Sequence, residues 1–275
     1  MLLGIDVGGT HTDAVALTVN GTRATLVASA KIKTNHADLL ESVNLALAAV
    51  LREIDPASVT QLNLSTTLST NAIVENRTEE VGMLLVPGPG MDPMDHRTCR
   101  DYHVIPGTMD HRGVESERLD EGAAREAVAA CKSRGINTFG LVGKFSVRNP
   151  LHENQLRHML CGKVNPDTGE ACDRADFVTL GHQLGGALNF PRRVATAYFN
   201  CAVWRLFGRF ASAVEDSLKD HGLTCRVNIL KADGGTMPLA YSRSMPVQSI
   251  FSGPAASVMG IVALTDIFLD SVILD

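Results

Sequence analysis

The start of the chain carries residue types, at a spacing, that suit a nucleotide phosphate held beside a metal ion. An apolar run ends in Asp6, turns through Gly8 and Gly9, and resumes as a β-prone run at 13–17. This pattern predicts a buried strand, a tight turn and a returning antiparallel strand. Two adjacent glycines allow backbone angles that a Cβ would forbid, so several N–H groups can point at one anion.

Side chains around the turn extend the predicted site. Thr10 and Thr12 supply hydroxyl groups that can bind phosphate, and the carboxylate of Asp6 can hold Mg²⁺ directly or through water. Asp13 either fixes the hairpin or contacts the waters of the metal. The turn is neither a P-loop nor a dinucleotide-binding fingerprint, because no GKS or GKT follows it and no GxGxxG opens a helix. The alternative interpretation is a glycine pair that only closes a hairpin.

The composition argues against several classes of protein. Of the 275 residues, 45% are hydrophobic and 20% are charged, which is enough apolar material for a folded core. The net charge of −5, without a basic stretch, argues against a nucleic-acid partner. No apolar segment reaches the length of about 18 residues that a membrane span needs, and the start lacks the basic region of a signal peptide. Six cysteines without a CxxC pair predict reduced thiols in a cytoplasmic protein.

Hydrophobic periodicity predicts an α/β chain. Besides the opening hairpin, strands are predicted at 22–33, 61–65, 81–86, 138–147, 227–230 and 271–275. Helices are predicted at 38–54, with Asp38 as N-cap, and at 120–134, 150–160, 191–220 and 246–264. The proline- and glycine-rich segment 87–118 interrupts this pattern and is predicted to be a long functional excursion.

Two further polar turns follow predicted strands, one after 61–65 and one after 227–230. They carry residues suited to phosphate or to its metal: Thr66, Thr67, Asn71, Asp233, Gly234 and Gly235. Ligands of open α/β sheets bind at the carboxyl edge of the strands, and a helix N-terminus favours anions. Ordinary helix capping in the first turn and a plain turn in the second explain the same residues, and we weigh the two interpretations of the first turn about equally.

Histidines and acidic residues in 87–118 raise the question of a metal site. The residues concerned are His96, His103, His111, Asp95, Asp101 and Asp110. Their spacing matches no standard zinc pattern, so solvated loop histidines are the favoured interpretation. Cys161 and Cys172 can form a redox pair, although two separate reduced thiols are favoured.

Two charged pairs on predicted helices have a simple and a functional interpretation. His152 and Glu153 begin a helix, where a cap and a surface charge are favoured over catalysis. Arg192 and Arg193 can clamp a carboxylate substrate bidentately, although arginines on a helix surface are usually only solvated.

Several stretches of the chain together resemble one protein family. The opening D-x-G-G-T-x-T-D is similar to the first phosphate motif of the actin, sugar-kinase and heat-shock-chaperone ATPase superfamily. The stretches STTLSTNAIVENR (65–77), FSVRNPLHENQL (145–156), RRVATAYFNCAV (192–203) and the DGG-to-SGPA stretch (232–260) resemble segments of the hydantoinase/5-oxoprolinase family, also called hydantoinase A. The resemblance extends from residue 4 to the end of the chain.

The resemblance implies an α/β fold, namely an actin-like ATPase (ribonuclease H-like) lobe with a mixed sheet and flanking helices. Residues 1–182 are expected to form the hydantoinase/oxoprolinase N-terminal region, with the excursion at 87–118 inside it. Residues 191–275 are expected to start the hydantoinase A core. Family members run several hundred residues longer, and Asp275 stands where their second phosphate motif begins. We therefore expect Asp275 to be a second metal ligand, at the first strand of a missing second lobe, in a fragment that is inactive alone.

The resemblance also implies an activity. It is the ATP- and Mg²⁺-dependent hydrolysis of a small cyclic amide, a hydantoin or 5-oxoproline, through a phosphorylated ring carbonyl oxygen. A companion subunit encoded nearby and an oligomer of the full-length protein are expected partners. The alternatives are a subunit of an ATP-dependent ketone carboxylase and a non-catalytic ATP-binding regulator of the same fold.

The chain departs from the family pattern at three places. Ser65 replaces a glycine that is usual in the family, and residues 180–190 and 87–118 diverge from it. These differences fall where substrate choice is expected to be made, so the resemblance does not identify the ring.

Overall fold

A computed structural model describes residues 1–21, 23–35, 38–161 and 174–265, together with Asp270 and Val272. The chain divides into two compact units. The first unit comprises residues 1–77 and 205–275, and the second unit comprises residues 78–204. The first unit is therefore discontinuous in sequence.

The described residues contain twelve strands and eight α-helices. The strands are β1 (Leu2–Val7), β2 (His11–Asn20), β3 (Arg23–Lys33), β4 (Gln61–Thr66), β5 (Gly82–Val86), β6 (Tyr102–Val104), β7 (Thr108–Met109), β8 (Glu115–Glu117), β9 (Thr138–Gly143), β10 (Phe177–Leu180), β11 (Arg226–Leu230) and β12 (Thr236–Pro238). The helices are α1 (Leu39–Leu51), α2 (Leu68–Val74), α3 (Glu121–Ser133), α4 (Leu151–Cys161), α5 (Gly181–Leu184), α6 (Phe190–Asp220), α7 (Leu239–Ser242) and α8 (Ser252–Leu264).

The first unit is built on a six-stranded mixed sheet in the order β12-β11-β4-β1-β2-β3. Strand β1 pairs antiparallel with β2 and parallel with β4, and β4 also pairs parallel with β11. The carboxyl ends of β1, β4 and β11 consequently lie at one edge of this sheet. The predicted α/β class with a mixed sheet is confirmed.

The core of the first unit covers one face of that sheet. Strand β1 alternates in burial, so that Leu3, Ile5 and Val7 face the core. Helix α1 and the second half of α6 pack on this face through apolar side chains such as Leu47 and Phe207. Helix α1 begins as predicted, because the carboxylate of its N-cap Asp38 accepts a hydrogen bond of 3.0 Å from the amide of Glu41.

The second unit contains a fully parallel sheet in the order β10-β9-β5-β6. Every residue of β5 and β9 is buried, as expected for central strands of a parallel sheet covered on both faces. Helices α3 and α4 pack on one face, and the first half of α6 packs on the other. Strand β5, predicted at 81–86, thus belongs to this second sheet, and the strand that pairs with β4 in the first sheet is β11.

The segment 87–118 is partly regular rather than a plain excursion. It contains β6, which extends the parallel sheet, and the hairpin of β7 and β8. Asp110 closes that hairpin, since its Oδ1 accepts hydrogen bonds of 2.9 Å from the amides of Val114 and Arg112. These hydrogen bonds lower the pKa of Asp110, and the bond from the amide of Val114 has the largest effect.

Glu153 is a buried residue of the second unit and not the predicted surface charge. It is 0% exposed, and its carboxylate accepts hydrogen bonds from the amides of Gly143, at 2.8 Å, and His182, at 3.0 Å. The ring Nδ1 of His182 contacts the same carboxylate. The neighbouring His152 is also buried, with Nε2 2.8 Å from Oε1 of Glu115. The prediction failed because the Glu153 side chain points towards the end of β9 and the His152 side chain towards Glu115 of β8, and neither points to solvent.

Arg193 is buried as well, so both interpretations are wrong for this member of the arginine pair. Its guanidinium donates hydrogen bonds to the carbonyl oxygens of Gly143 and Lys144, both at 2.6 Å, and of Ala187, at 2.7 Å. Burial lowers the pKa of this group. Arg193 therefore binds backbone and not a carboxylate, whereas Arg192 is exposed.

The cysteines only partly follow the prediction. Cys99, Cys131, Cys201 and Cys225 are free thiols, but Cys161 is disulfide-bonded, so the expectation of a reduced thiol is wrong for this residue. Cys172 lies outside the described residues.

Two other features concern the chain as a whole. The strand predicted at 271–275 lies outside the described residues except for Val272. Within the described part of the chain, no helix is long and apolar enough to cross a membrane.

Replacing Glu153 by alanine should destabilise the second unit by about 3 kcal/mol, because two buried amides lose their acceptor. The measurement is urea unfolding followed by the fluorescence of Trp204, the single tryptophan, whose ring stacks on Phe177 at 4.8 Å. The exposed Glu126 of α3 provides the control, since Glu126→Ala should change stability by less than about 0.5 kcal/mol. Equal effects of the two substitutions would show that Glu153 does not hold these strand ends.

Candidate functional site

The turn between β1 and β2 has the predicted hairpin geometry. The amide of Gly8 donates a hydrogen bond of 3.0 Å to the carbonyl oxygen of His11. A Cβ on Gly8 would lie 2.9 Å from that same oxygen, so the position accepts no side chain without a shift of the backbone. A Cβ on Gly9 would lie 3.2 Å from Nδ2 of Asn71. Both positions are therefore too close to neighbouring atoms for a side chain to fit without a shift.

Asp6 lies at the end of the central strand β1. It pairs with Asp13 of β2 and with Ser65 of β4, and it is half-buried. Because side chains alternate along a strand, its carboxylate lies on the sheet face opposite the buried Val7. Its Oδ2 is 3.9 Å from the position that a Cβ on Gly8 would occupy. The carboxylate therefore sits next to the glycine turn.

The threonines of the turn have different surroundings. Thr12 is 0% exposed, and its hydroxyl lies 3.0 Å from that of Thr34. The hydroxyl of Thr34 donates to the carbonyl oxygen of Gly8 at 3.0 Å, and the amide of Thr34 donates to the carbonyl oxygen of Thr10 at 2.9 Å. Thr10 is exposed. Thr12 and Thr34 hold the turn from within, and Thr10 is the threonine that faces outward.

Asp13 is ion-paired across the hairpin. Nζ of Lys31 lies 3.1 and 3.2 Å from its two carboxylate oxygens, and both side chains are exposed. This ion pair joins β2 to β3, the strand that follows the opening hairpin. A solvent-exposed pair of this kind contributes little to stability, about 0–1 kcal/mol.

The second polar turn, after β4, is bonded directly to the first. The amide of Thr67 donates to the carbonyl oxygen of Val7 at 3.2 Å. Thr66 is 1% exposed, and its hydroxyl bridges the same carbonyl, at 3.3 Å, and the amide of Leu68, at 3.1 Å. Asn71 donates from Nδ2 to the hydroxyl of Thr67 at 3.2 Å. Thr66 thus joins the turn to α2, while Thr67 and Asn71 lie next to the glycines.

A cavity of about 110 Å³ opens beside these two turns. Its polar lining includes Gly8, Gly9, Thr67, Asn71 and Arg77. Its apolar lining includes Val7, Leu39, Leu68, Ala72 and Leu206. Because it borders Val7, it lies on the face of the sheet opposite the one that carries the Asp6 carboxylate. The glycine turn consequently lies between the Asp6 carboxylate on one face of the sheet and the mostly apolar cavity on the other.

The third polar turn follows β11 at the same edge of the sheet. Asp233 accepts a hydrogen bond of 2.8 Å from Nζ of Lys231 and one of 2.9 Å from the amide of Gly235. These hydrogen bonds lower the pKa of Asp233, and the bond from Lys231 has the largest effect. Gly234 has a φ of +80°, a conformation that favours glycine. The geometry is that of a closed turn with an exposed, charged carboxylate.

Helix α8 begins beside the second turn. The sequence predicts one helix over 246–264, but the chain breaks at Phe251, whose φ is +62°. The amide of Phe251 donates to the hydroxyl of Thr70 at 3.1 Å, and the hydroxyl of Ser252 donates to the carbonyl oxygen of Thr66 at 3.3 Å. The positive end of the helix dipole is thereby held at the edge where the turns lie.

Three parts of this arrangement were not foreseen from the sequence. They are Thr34, Arg77 at the cavity, and the break before α8. Thr34 merely follows a predicted strand, so no local signal marks it.

The side chain of Ser65, where the family usually has glycine, is buried, and its hydroxyl has no hydrogen-bond partner among the described residues. Asp275 lies outside those residues.

Curated proteins and solved structures related to this chain were found along nearly its whole length. Caprolactamase subunit alpha from Pseudomonas jessenii is 24% identical over 93% of this chain and 38% of its own length. The ATP-dependent caprolactamase structure from that organism superposes with a TM-score of 0.72 and 24% identity, covering 95% of this chain and 40% of the other. A nucleotide-free acetone carboxylase gives the same TM-score at 16% identity, covering 94% and 39%.

These likenesses confirm the fold of the actin-like lobe that the sequence motifs implied. The chain spans about two-fifths of the length of the caprolactamase subunit. Residues 2–162 match the hydantoinase/oxoprolinase N-terminal region, and residues 193–274 match the hydantoinase/oxoprolinase core. Since the first of these matches alone exceeds half of the 275 residues, the chain belongs to the hydantoinase/oxoprolinase family.

Proposed function

We propose that the first unit binds the phosphates of ATP, as the N-terminal part of an ATP-dependent hydrolase of cyclic amides. One observation carries this proposal. Three polar turns follow the carboxyl ends of β1, β4 and β11 at one sheet edge, and the N-terminus of α8 begins beside them. Open α/β sheets bind ligands at that edge, and a helix N-terminus favours a negatively charged group.

The turn residues fit a phosphate group and its metal ion. Because Gly8 and Gly9 carry no side chains, a phosphate can approach the backbone of residues 8–10 closely. The exposed hydroxyl of Thr10 adds a donor, and Asp6 would hold Mg²⁺. Thr67 and Asn71 of the second turn, and residues 233–235 of the third turn, supply further polar groups at the same sheet edge. Asp275 remains a proposed second ligand.

Thr12 and Thr66 have a different role in this proposal. Both hydroxyls are buried and bonded within the turns, so they fix the phosphate-binding backbone and do not contact phosphate themselves. Asp13 likewise fixes the hairpin through Lys31. Preorganised backbone of this kind stabilises developing charge without rearranging during the reaction.

The chemistry fits the need for ATP. Resonance makes an amide carbonyl a poor electrophile, and transfer of the γ-phosphoryl group to the amide oxygen, with departure of ADP, turns that oxygen into part of a leaving group. Water then adds to the carbon, the C–N bond breaks, and phosphate is released. The ring opens to a carboxylate and a free amine, or, from a hydantoin, to an N-carbamoyl amino acid. Mg²⁺, when bound, neutralises the charge of the transferring phosphoryl group. The chain's own turns position that group.

The relatives support cyclic amides as the proposed substrate class. Caprolactam, named in the caprolactamase match, is itself a cyclic amide, and hydantoin and 5-oxoproline are the other ring substrates we propose. That relative is a subunit called alpha, which supports a companion subunit for this protein. An oligomer of the full-length protein and a cytoplasmic location are part of the same proposal.

A ketone carboxylase subunit is the second candidate. The acetone carboxylase structure superposes as well as the caprolactamase does. Both reactions use ATP to phosphorylate an unreactive oxygen, so the described site suits either. ATP hydrolysis stimulated by a ketone and bicarbonate, but not by a lactam, would favour this candidate. ATP binding without stimulation by either would favour a regulator.

In the full-length protein, Asp6→Asn should abolish substrate-dependent ATP hydrolysis while the fold persists, because only the metal-facing charge is lost. Asp13→Asn is the matched control, since Asp13 lies opposite Asp6 but pairs with Lys31. That control should keep most of the activity. The measurement is phosphate release with hydantoin, 5-oxoproline or caprolactam, at matched circular dichroism. Normal turnover by the Asp6→Asn protein would assign the metal to another residue.

Gly8→Ala should raise the KM for ATP at least about tenfold, since a Cβ lying 2.9 Å from the His11 carbonyl oxygen must displace the turn, and a small misplacement of positioning groups is costly. Gly208→Ala in α6 is the control. A Cβ there meets nothing within 4 Å, so the KM should not change. An unchanged KM in Gly8→Ala would argue against phosphate binding by this turn.

The isolated 275-residue chain should hydrolyse ATP no faster than background, with or without a ring substrate. Under our proposal the remainder of the longer protein supplies the other side of the phosphate site, and catalysis needs both sides preorganised. Phosphate release from purified chain, compared with the Asp6→Asn chain, provides the measurement. Turnover that is lost on the Asp6→Asn substitution would show that the 275-residue chain is sufficient for ATP hydrolysis.

A further inference from the structure

We propose that the second unit holds a divalent cation of the zinc type between the side chains of Asp101, His103 and Cys131. The three ligand atoms, a carboxylate oxygen, an imidazole nitrogen and a sulfur, all lie within 4.8 Å of one another. This site is separate from the phosphate site of the first unit. It also differs from the metal site weighed from the sequence, because Cys131 lies outside the segment 87–118.

Neighbouring elements bring these ligands together. Asp101 directly precedes β6 and His103 lies in that strand, so the two side chains, at i and i+2, lie on the same face. Cys131 is in the last turn of α3, and α3 packs with the parallel sheet through the same apolar cluster that contains Cys131. A strand and a helix of a packed α/β layer hold side chains more rigidly than loops do.

The distances suit tetrahedral coordination. Nε2 of His103 lies 3.4 Å from Sγ of Cys131. Bond lengths of about 2.0–2.1 Å to nitrogen and 2.3 Å to sulfur put two ligands of a tetrahedral zinc ion about 3.6 Å apart. The nitrogen and the sulfur are therefore already at the separation that a shared ion requires.

The surroundings suit a bound cation. Asp101 is 4% exposed and Cys131 is 0% exposed, while His103 is half-buried. The carboxylate of Asp101 is in ion-pair contact with Arg134 through its buried Oδ1. Arg134 follows Cys131 by three residues, so it orients the carboxylate from outside the ligand set, as second-layer partners of metal ligands do.

One side of the cluster is open to solvent. His103 lines a groove together with Met94, Tyr102, Ile105, Glu126 and Ala130. A water molecule in this groove can take the fourth position, which is the arrangement of three protein ligands and one open position seen in accessible zinc sites.

The ligand types select the metal. Thiolate and imidazole favour zinc and other late first-row cations over Mg²⁺ and Ca²⁺, which prefer oxygen ligands. Coordination by the Cys131 sulfur as a thiolate forms a metal–sulfur bond as the S–H bond breaks, and it releases one proton to solvent.

The test uses the full chain, stripped with a chelator and titrated with Co²⁺ and then with Zn²⁺. The expected result is one equivalent of Co²⁺ with a thiolate-to-cobalt charge-transfer band, displaced by Zn²⁺ with a Kd of about 1 µM or tighter. Cys131→Ser should lose the band. Arg134→Gln should keep the band and bind about tenfold more weakly.

Cys225→Ser is the matched control, because Cys225 is a free thiol of the first unit whose pKa burial also raises. It should leave the band and the affinity unchanged. Should Cys131→Ser fail to fold by circular dichroism, His103→Gln at the half-buried position takes its place, with binding weakened at least about tenfold. No band in the wild-type chain, or an unchanged band in the folded Cys131 or His103 variant, would overturn the proposal.

Discussion

The parallel pairing of β4 with both β1 and β11 is the constraint on which the first unit depends. Parallel strands end at the same edge, so this pairing brings together turns that are far apart in sequence. Val7 lies opposite Thr66, and Ile229 lies opposite Leu64. Hydrogen bonds from the second turn to Val7, and from Ser252 to Thr66, then fix the turns and α8 against one another.

The two units place charge in different ways. In the first, polar groups lie at a partly exposed edge, where a ligand can reach them. In the second, Glu153 and Arg193 are both buried and both bind backbone next to Gly143, where β9 ends. Burying such groups is tolerated only when hydrogen bonds compensate for lost solvation. The buried charged groups of the second unit therefore fix the backbone where β9 ends, whereas the polar groups of the first unit remain accessible to a ligand.

Local signals predicted much of this fold. The hairpin was visible in its glycine pair and apolar runs, and α1 in its period and the Asp38 cap. Features that depend on distant packing were not. Nothing local shows that β5 leaves the first sheet, or that Glu153 points inward. Cys131 and His103 meet only through the packing of α3 beside β6. Similarly, a structural role for Thr66, which bridges Val7 and Leu68, and a phosphate-binding role for it look identical in sequence.

The discontinuity of the first unit has a consequence for synthesis on the ribosome. Strand β11 pairs with β4, and Asn228 bonds to Asn63 across 165 residues of sequence. Until residues 226–230 emerge, β4 presents an open edge with unpaired backbone groups, a template for association with other chains. The second unit is continuous and can complete its sheet earlier. Cells that translate this protein slowly, or lack a chaperone for nascent chains, should therefore lose it to aggregation chiefly through β4.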